Sequence, residues 1–204
     1  MGGRGGSYER YSHYQDAYSF FGVGTADGAY PIWERSITSE EKEETVKYTG
    51  SDYRSINSAL RDADKGYEKA NMFMRRRIDR IDQAIAKFEL KKNLTVYRGS
   101  SAQLVGGYTT AAEINAYMKG AIVQDKGFMS TSAVHGSQFS GKIKYEIQVP
   151  RGKGRGAFVS PISNFKTENE FLLKRGTYFK VAGATTDSSG ATVVKLKVID
   201  YRSK

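Results

Sequence analysis

The 204-residue chain is 39% hydrophobic and 12% aromatic, enough for the interior of one large domain or of two small lobes sharing a core. It has no cysteine and only His13 and His135, which excludes disulfides and thiolate metal sites and nearly excludes a histidine metal cluster or a Ser/His/Asp triad, so chemistry must rest on carboxylates, hydroxyls, Arg and Lys. Lys+Arg 32 against Asp+Glu 22 leaves +10, which points to phosphates, an acidic protein surface or nucleic acid. No apolar stretch approaches the roughly 18 residues of a membrane span, and the N-terminus lacks the hydrophobic core of a secretory signal, so no classical export route is visible.

Residues 1–33 are rich in Gly, Tyr and Ser, open on Gly2-Gly3-Arg4-Gly5-Gly6 and show no sustained period. They read as a flexible arm. Its Arg-Gly element, with Tyr8, Tyr11 and Tyr14 as stacking rings, also fits a fragment of an RNA-binding segment. From Ile37 the pattern turns helical. Thr38 and Glu41 form a capping box opening a helix toward Tyr48, and Ser51 or Asp52 can cap a second helix carrying Tyr53, Ile56, Asn57 and Leu60. A longer third helix places Met74, Ile78, Ile81, Ile85 and Phe88 on one apolar stripe. Its other face, with Arg76, Arg80, Lys87 and Lys91, reads as solvated, or as a surface for nucleic acid or a target protein.

After Lys92 strands dominate, at residues 94–98, 127–132, 143–149, 156–159, 169–173, 177–182 and 192–201, with one short helix opened by a Thr110–Glu113 capping box and ended at Gly120. Alternation of Ile143, Tyr145, Ile147 and Val149 with Lys144, Glu146 and Gln148 gives one strand a wet face. The run Gly152-Lys153-Gly154-Arg155-Gly156 imitates a phosphate loop but lacks its spacing and following helix, so a hairpin turn is expected there.

Three polar groups interrupt these strands. Arg98 ends an apolar strand and is followed by Gly99, which would let a diphosphate approach the backbone. Ser130-Thr131-Ser132 puts three hydroxyls among apolar neighbours, where they need partners. Glu168 and Glu170 flank Asn169 at the lip of the apolar run Phe171-Leu172-Leu173, with Glu170 on a strand, Glu168 on the preceding loop and Asn169 turned the other way by strand alternation. Like charges this close raise one another's pKa unless a cation lies between them. Taken singly, the Arg fits a surface salt bridge, the hydroxyls cross-strand pairing and the glutamates a solvated loop.

In this order, however, the strand-end Arg98, the Ser130-Thr131-Ser132 strand and Glu168-Asn169-Glu170 resemble the arginine-specific mono-ADP-ribosyltransferase exoenzymes, the relatives of binary-toxin enzymatic components. The resemblance runs from about Ile37 to Val181, and Tyr48, Tyr53 and Asn57 keep the spacing of that family's NAD-contacting residues. Gln103, five residues after Arg98, belongs to the same set. The resemblance implies an α/β (α+β) fold in which two small, roughly perpendicular β-sheets grip NAD beside an N-terminal helical lobe. The arm would then precede a single ADP-ribosyltransferase domain at 34–204, with its helical lobe at 37–92 and its β core at 93–204.

By the same resemblance, Glu170 bonds the ribose and stabilises an oxocarbenium-like cation, Ser130 holds Glu170, Arg98 clamps the diphosphate, and Glu168 with Phe165 receives the acceptor. A Glu at the first position of Glu-x-Glu implies an arginine acceptor, since relatives that modify Asn, Cys or a nucleobase have Gln there. The nicotinamide loop departs from the family pattern. It offers Phe139 followed by Lys142 where the family has an aromatic and an Arg, and a Lys cannot fork onto a phosphate. His135 reads as a loop residue. The expected co-substrate is NAD, with no metal. The expected partner is an arginine-bearing target protein, actin being the family's best-known one, reached by a monomer that is exported, carried by another component or active in the cytoplasm of the host cell. A basic nucleic-acid-binding module is the other reading, on charge and the Arg-Gly arm.

Overall fold

The computed structural model describes residues 6–62, 66–136, 141 and 143–201. Helices come first. α1 (Tyr14–Phe20) and α2 (Ala29–Ser36) precede α3 (Ser39–Lys47), which opens on the expected capping box: Glu41 N–H donates to the Thr38 hydroxyl and Thr38 N–H to the Glu41 carboxylate. A π-helical turn, Tyr48–Asp52, kinked at Gly50, carries the chain directly into α4 (Tyr53–Arg61). The expected Ser51 or Asp52 cap is therefore not formed. Asp52 is itself helical (φ −77°, ψ −14°) and makes no side-chain capping bond, whereas a cap needs an extended residue.

After the short α5 (Gly66–Lys69), α6 (Met72–Lys87) buries Ile78, Ile81, Ala84 and Ile85, and Phe88 follows them into the core. Met74 is only half-buried. Lys87, expected on a solvated face, instead gives both oxygens of the buried Glu41 a hydrogen bond at 2.7–2.9 Å, tying α6 to α3.

The flexible arm expected at 1–33 needs correction from Ser7 onward; Gly2 to Gly5, with the Arg-Gly element, lie outside the described residues. Phe21, at the end of α1, stacks on Phe158 (4.1 Å, 13°) and on Phe171 (5.8 Å, 15°), and Trp33 donates its indole N–H to the Ala84 carbonyl at 2.7 Å. Burying each such ring is worth roughly 2–3 kcal/mol, so α1 and α2 are held by tertiary packing rather than by local periodicity. The chain between them folds back so tightly that a Cβ on Gly28 would sit 2.4 Å from the Gly22 carbonyl oxygen. Tyr11, expected as a stacking ring, packs against Phe20.

The strands are β1 (Glu89–Leu90), β2 (Leu94–Ser100), β3 (Ile122–Asp125), β4 (Met129–Ser132), β5 (Ile143–Val149), β6 (Gly152–Lys153), β7 (Gly156–Phe158), β8 (Glu170–Leu173), β9 (Thr177–Thr186) and β10 (Thr192–Ile199), with α7 (Ala111–Tyr117) between β2 and β3 behind the expected Thr110–Glu113 box. The mixed α/β architecture with an N-terminal helical region and two sheets is as expected. Its strand pairing is β3-β9-β10-β5-β2-β4-β8-β7 in one sheet and β1-β6 in the other. The larger sheet is continuous across β2 and β4 through a single pair, Tyr97 with Ser132. It thus divides into a five-stranded and a three-stranded half, the two bodies that sequence reading took as separate sheets. β5 buries Ile143, Tyr145, Ile147 and Val149 as its alternation dictates. Residues 152–156 are not a hairpin: β6 pairs with β1 and β7 with β8.

Candidate active site

Two carboxylates are set at different depths by one backbone corner. Lys166–Glu168 form a 3-10 turn that leaves Glu168 half-buried, and Asn169 then adopts a left-handed conformation (φ 52°), one of the few that a short amide side chain tolerates. Asn169 is therefore a corner and not the strand residue expected. Its amide donates to the Thr167 carbonyl at 2.9 Å and its own carbonyl accepts Ala133 N–H at 2.9 Å. Beyond it the chain enters β8 with Glu170 only 4% exposed, its N–H donating to the Ser160 hydroxyl at 2.6 Å.

Burial pushes the Glu170 carboxyl up to about 7; the Ser130 hydroxyl and Arg98 ease its charge, while Glu168 opposes it. Burial also raises Glu168. Strand register explains the Ser130 approach. Ser132 faces Glu170 across β4–β8, so Ser130, two residues on, shares that face and sits diagonally. The other two hydroxyls are spent locally, Thr131 on the Phe171 carbonyl and Ser132 on Val134. Arg98, on β2 of the five-stranded half, donates to the Ser130 carbonyl at 2.6 Å, and burial together with nearby Arg61 disfavours its charge.

α4 supplies the facing wall. Asn57 gives its amide hydrogens to the Tyr48 hydroxyl (2.9 Å) and the Phe128 carbonyl (3.1 Å) and accepts Phe128 N–H at 2.9 Å. Tyr48 and Asn57 thus line the cleft with their polar atoms already engaged in fixing the strand that carries Ser130. Tyr53 is 39% exposed at the mouth, with the Arg54 guanidinium over its ring at 5.7 Å.

The result is one cleft of about 680 Å³ lined by Tyr48, Tyr53, Asn57, Arg98, Ser130, Phe165, Glu168 and Glu170 among others, eight residues from four separate stretches of chain. Phe165 is 49% exposed at its lip. Gln103 lines a second cavity of about 440 Å³, which shares Arg61, Arg98 and Ser100 with the first. Phe139 and Lys142 lie outside the described residues.

Sequence reading missed Arg61. It forks onto Asp125 with two bonds of 2.8 Å, donates to the Phe128 carbonyl at 3.1 Å, and stands beside both cavities. Its position four residues after Asn57, on the same helix face, was the available signal. Ser160 gave no such signal, because its contact to Glu170 exists only once β7 and β8 have paired.

A buried carboxylate with Arg98 near it and Arg61 lining the same cleft suits a ligand that carries a diphosphate and develops positive charge nearby. The family comparison decides which. The model of the ADP-ribosyltransferase exoenzyme family matches residues 26–202. The chain belongs to that family. Among relatives of this exoenzyme domain, NAD(+)-arginine ADP-ribosyltransferase EFV of Enterococcus faecalis is 28% identical over 171 residues (79% of this chain, 32% of that protein). Mono-ADP-ribosyltransferase C3 of Hathewaya limosa is 27% identical over 161 residues (72% and 64%). The chain therefore spans less than two thirds of the length of either. Among solved structures, the ADP-ribosyltransferase toxin Plx2a from Paenibacillus larvae superposes with a TM-score of 0.82 at 26% identity, covering 95% of this chain and 100% of that one. C3stau2 from Staphylococcus aureus, solved with NAD, shares the fold at a TM-score of 0.82 and 19% identity, covering 96% and 100%.

Proposed function

We propose that the domain transfers ADP-ribose from NAD to an arginine side chain of a target protein, releasing nicotinamide, and hydrolyses NAD slowly when no acceptor is present. The observation that carries this is the depth difference between Glu168 and Glu170 around the Asn169 corner. In this reading the NAD diphosphate lies along Arg98 and Arg61, with Gln103 beyond them and Tyr53 over the mouth. Tyr48 and Asn57 act by holding β4. Phe139 and Lys142 are assigned to the nicotinamide end by the family pattern alone.

The positive charge of the nicotinamide ring would favour ionisation of Glu170, whose proton leaves to solvent, giving a carboxylate beside the ribose. The nicotinamide–ribose C–N bond breaks, its electron pair leaves with nicotinamide, and Glu170, steadied by Ser130, stabilises the ribosyl cation. A guanidinium nitrogen held by Glu168 and Phe165 then attacks the same carbon and gives its proton to Glu168. The name of the E. faecalis relative supports arginine as acceptor, and the NAD-bound fold neighbour supports the co-substrate. A toxin or phage effector acting on a host protein is the biological role that fits. Among the described residues no helix is long and apolar enough to cross a membrane.

The test is nicotinamide release from labelled NAD with and without agmatine or polyarginine. Release accelerated by the acceptor, with label transferred to it, is expected. No release, or release without transfer to either acceptor, overturns the proposal.

A further inference from the structure

Tyr18, on α1, stands outside the 26–202 match to the family, yet it reaches the start of the segment that carries the two glutamates. Its hydroxyl donates to the Lys166 carbonyl at 3.3 Å, at the start of the 3-10 turn ending in Glu168. At the other end, the Ser160 hydroxyl, just after β7, accepts the Glu170 N–H at 2.6 Å. Ser160 accepts from Glu170, and the Tyr18 hydrogen goes to Lys166. The ring is fixed by an edge contact with Phe158 of β7 at 5.3 Å. Phe21, on the turn that ends α1, stacks on Phe158 and Phe171 beneath the same strands.

We infer that Tyr18 is a positioning residue: with its ring seated on Phe158 of β7, which pairs with β8, and its hydroxyl on the Lys166 carbonyl, it ties the 166–168 turn to the strand that carries Glu170 and sets Glu168 relative to Glu170. This rests on the transferase reading for its consequence, though not for the tether itself. The two glutamates depend on this tether unequally. Glu170 is also held by β4 through the β8 ladder, whereas the other bonds to the carbonyls of the turn bearing Glu168 come from within residues 165–169: Glu168 N–H to Phe165 at 3.1 Å and the Asn169 amide to Thr167 at 2.9 Å. Loss of the Tyr18 hydroxyl therefore loosens Glu168 first.

The experiment is Tyr18→Phe, which keeps the ring and removes the hydroxyl, beside Ser160→Ala and the unaltered protein. Amide hydrogen exchange should quicken about tenfold at residues 166–170 in Tyr18→Phe, with the thermal midpoint nearly unchanged. Transfer to agmatine should fall about five- to tenfold in kcat while NAD hydrolysis stays within about twofold. Ser160→Ala should lower both activities. Unchanged exchange at 166–170 overturns the tether, and equal loss of transfer and hydrolysis, or loss that follows the melting temperature, overturns the positioning role. Absence of nicotinamide release from the unaltered protein is a failure of the transferase reading, and the exchange measurement still decides the tether.

Discussion

Asn57 pairs its carboxamide with the backbone of Phe128 as a neighbouring strand would, donating to its carbonyl and accepting its N–H. A helix side chain thereby extends the hydrogen bonding of β4 across to α4. Asn57→Ala leaves a buried N–H without its partner and should cost about 2–4 kcal/mol by chemical denaturation. It should also lower activity more than NAD affinity, because the strand that loosens carries Ser130. Gly127→Ala should do the same, since its Cβ would lie 2.7 Å from Asn57 Oδ1 and 2.9 Å from Arg61 Nε. Wild-type stability in both would show that β4 is positioned by other means.

Glu170→Gln should abolish transfer and hydrolysis by at least about 100-fold while NAD still binds, since the lost charge is needed mainly in the transition state. Its stability should respond to pH in a defined direction. The folded carboxyl titrates at about 7 against an ordinary 4.5, so the native state holds the proton more tightly than the unfolded chain. Native stability is then diminished progressively as pH rises from 4.5 to 7, by up to about 3 kcal/mol at 1.36 kcal/mol per unit. Melting curves should show little difference between Glu170→Gln and the parent at pH 5 and a more stable variant at pH 8. The opposite order, or none, would show that Glu170 is not the strained charge.

For the unaltered protein, kcat/KM should climb with pH through an apparent pKa near 7, since the free enzyme must ionise Glu170. The charge of Glu168 raises that value, so the hydrolysis profile of Glu168→Gln should move to lower pH. Transfer and hydrolysis should also separate in this variant. Arginine transfer should be lost while slow hydrolysis persists, because water needs no guanidinium pocket. Equal loss of both would end the division of roles, and intact transfer would refute an arginine held by that carboxylate.

Arg98→Ala should weaken NAD binding by on the order of 2–4 kcal/mol in calorimetric titration. The comparison with Arg61→Ala is informative, because that side chain is already forked onto Asp125 and should contribute less. Unchanged affinity in Arg98→Ala would leave it with only its bond to the Ser130 carbonyl.

Much of this was legible because it is local. The Ile78, Ile81, Ile85 and Phe88 stripe, the two capping boxes and the alternation in β5 are patterns within a few residues, and each appears where its period places it. The cleft residues were legible by order along the chain, and the fold brings eight of them to one cavity. What was not legible depends on distant neighbours. α1 and α2 are short, with Gly22, Gly24 and Gly28 between them, and exist through Phe21 and Trp33 meeting the core. β3 alternates weakly because it is an exposed edge, with only its 122–125 backbone paired to β9. Asn169 looked like a strand residue because alternation fits on either side of a corner.

The seam between β2 and β4 has one further consequence. Among the described residues β2 and β4 meet in one pair, Tyr97 with Ser132, the 9–11 segment bridges Leu94 and Val134 beside it, and the side chain of Arg98 spans the same gap to Ser130. A diphosphate that recruits this guanidinium therefore competes with a strap between two plates. In the proposed reading, filling the cleft would thus bear on how the plate that carries Arg98 is held against the plate that carries Glu170.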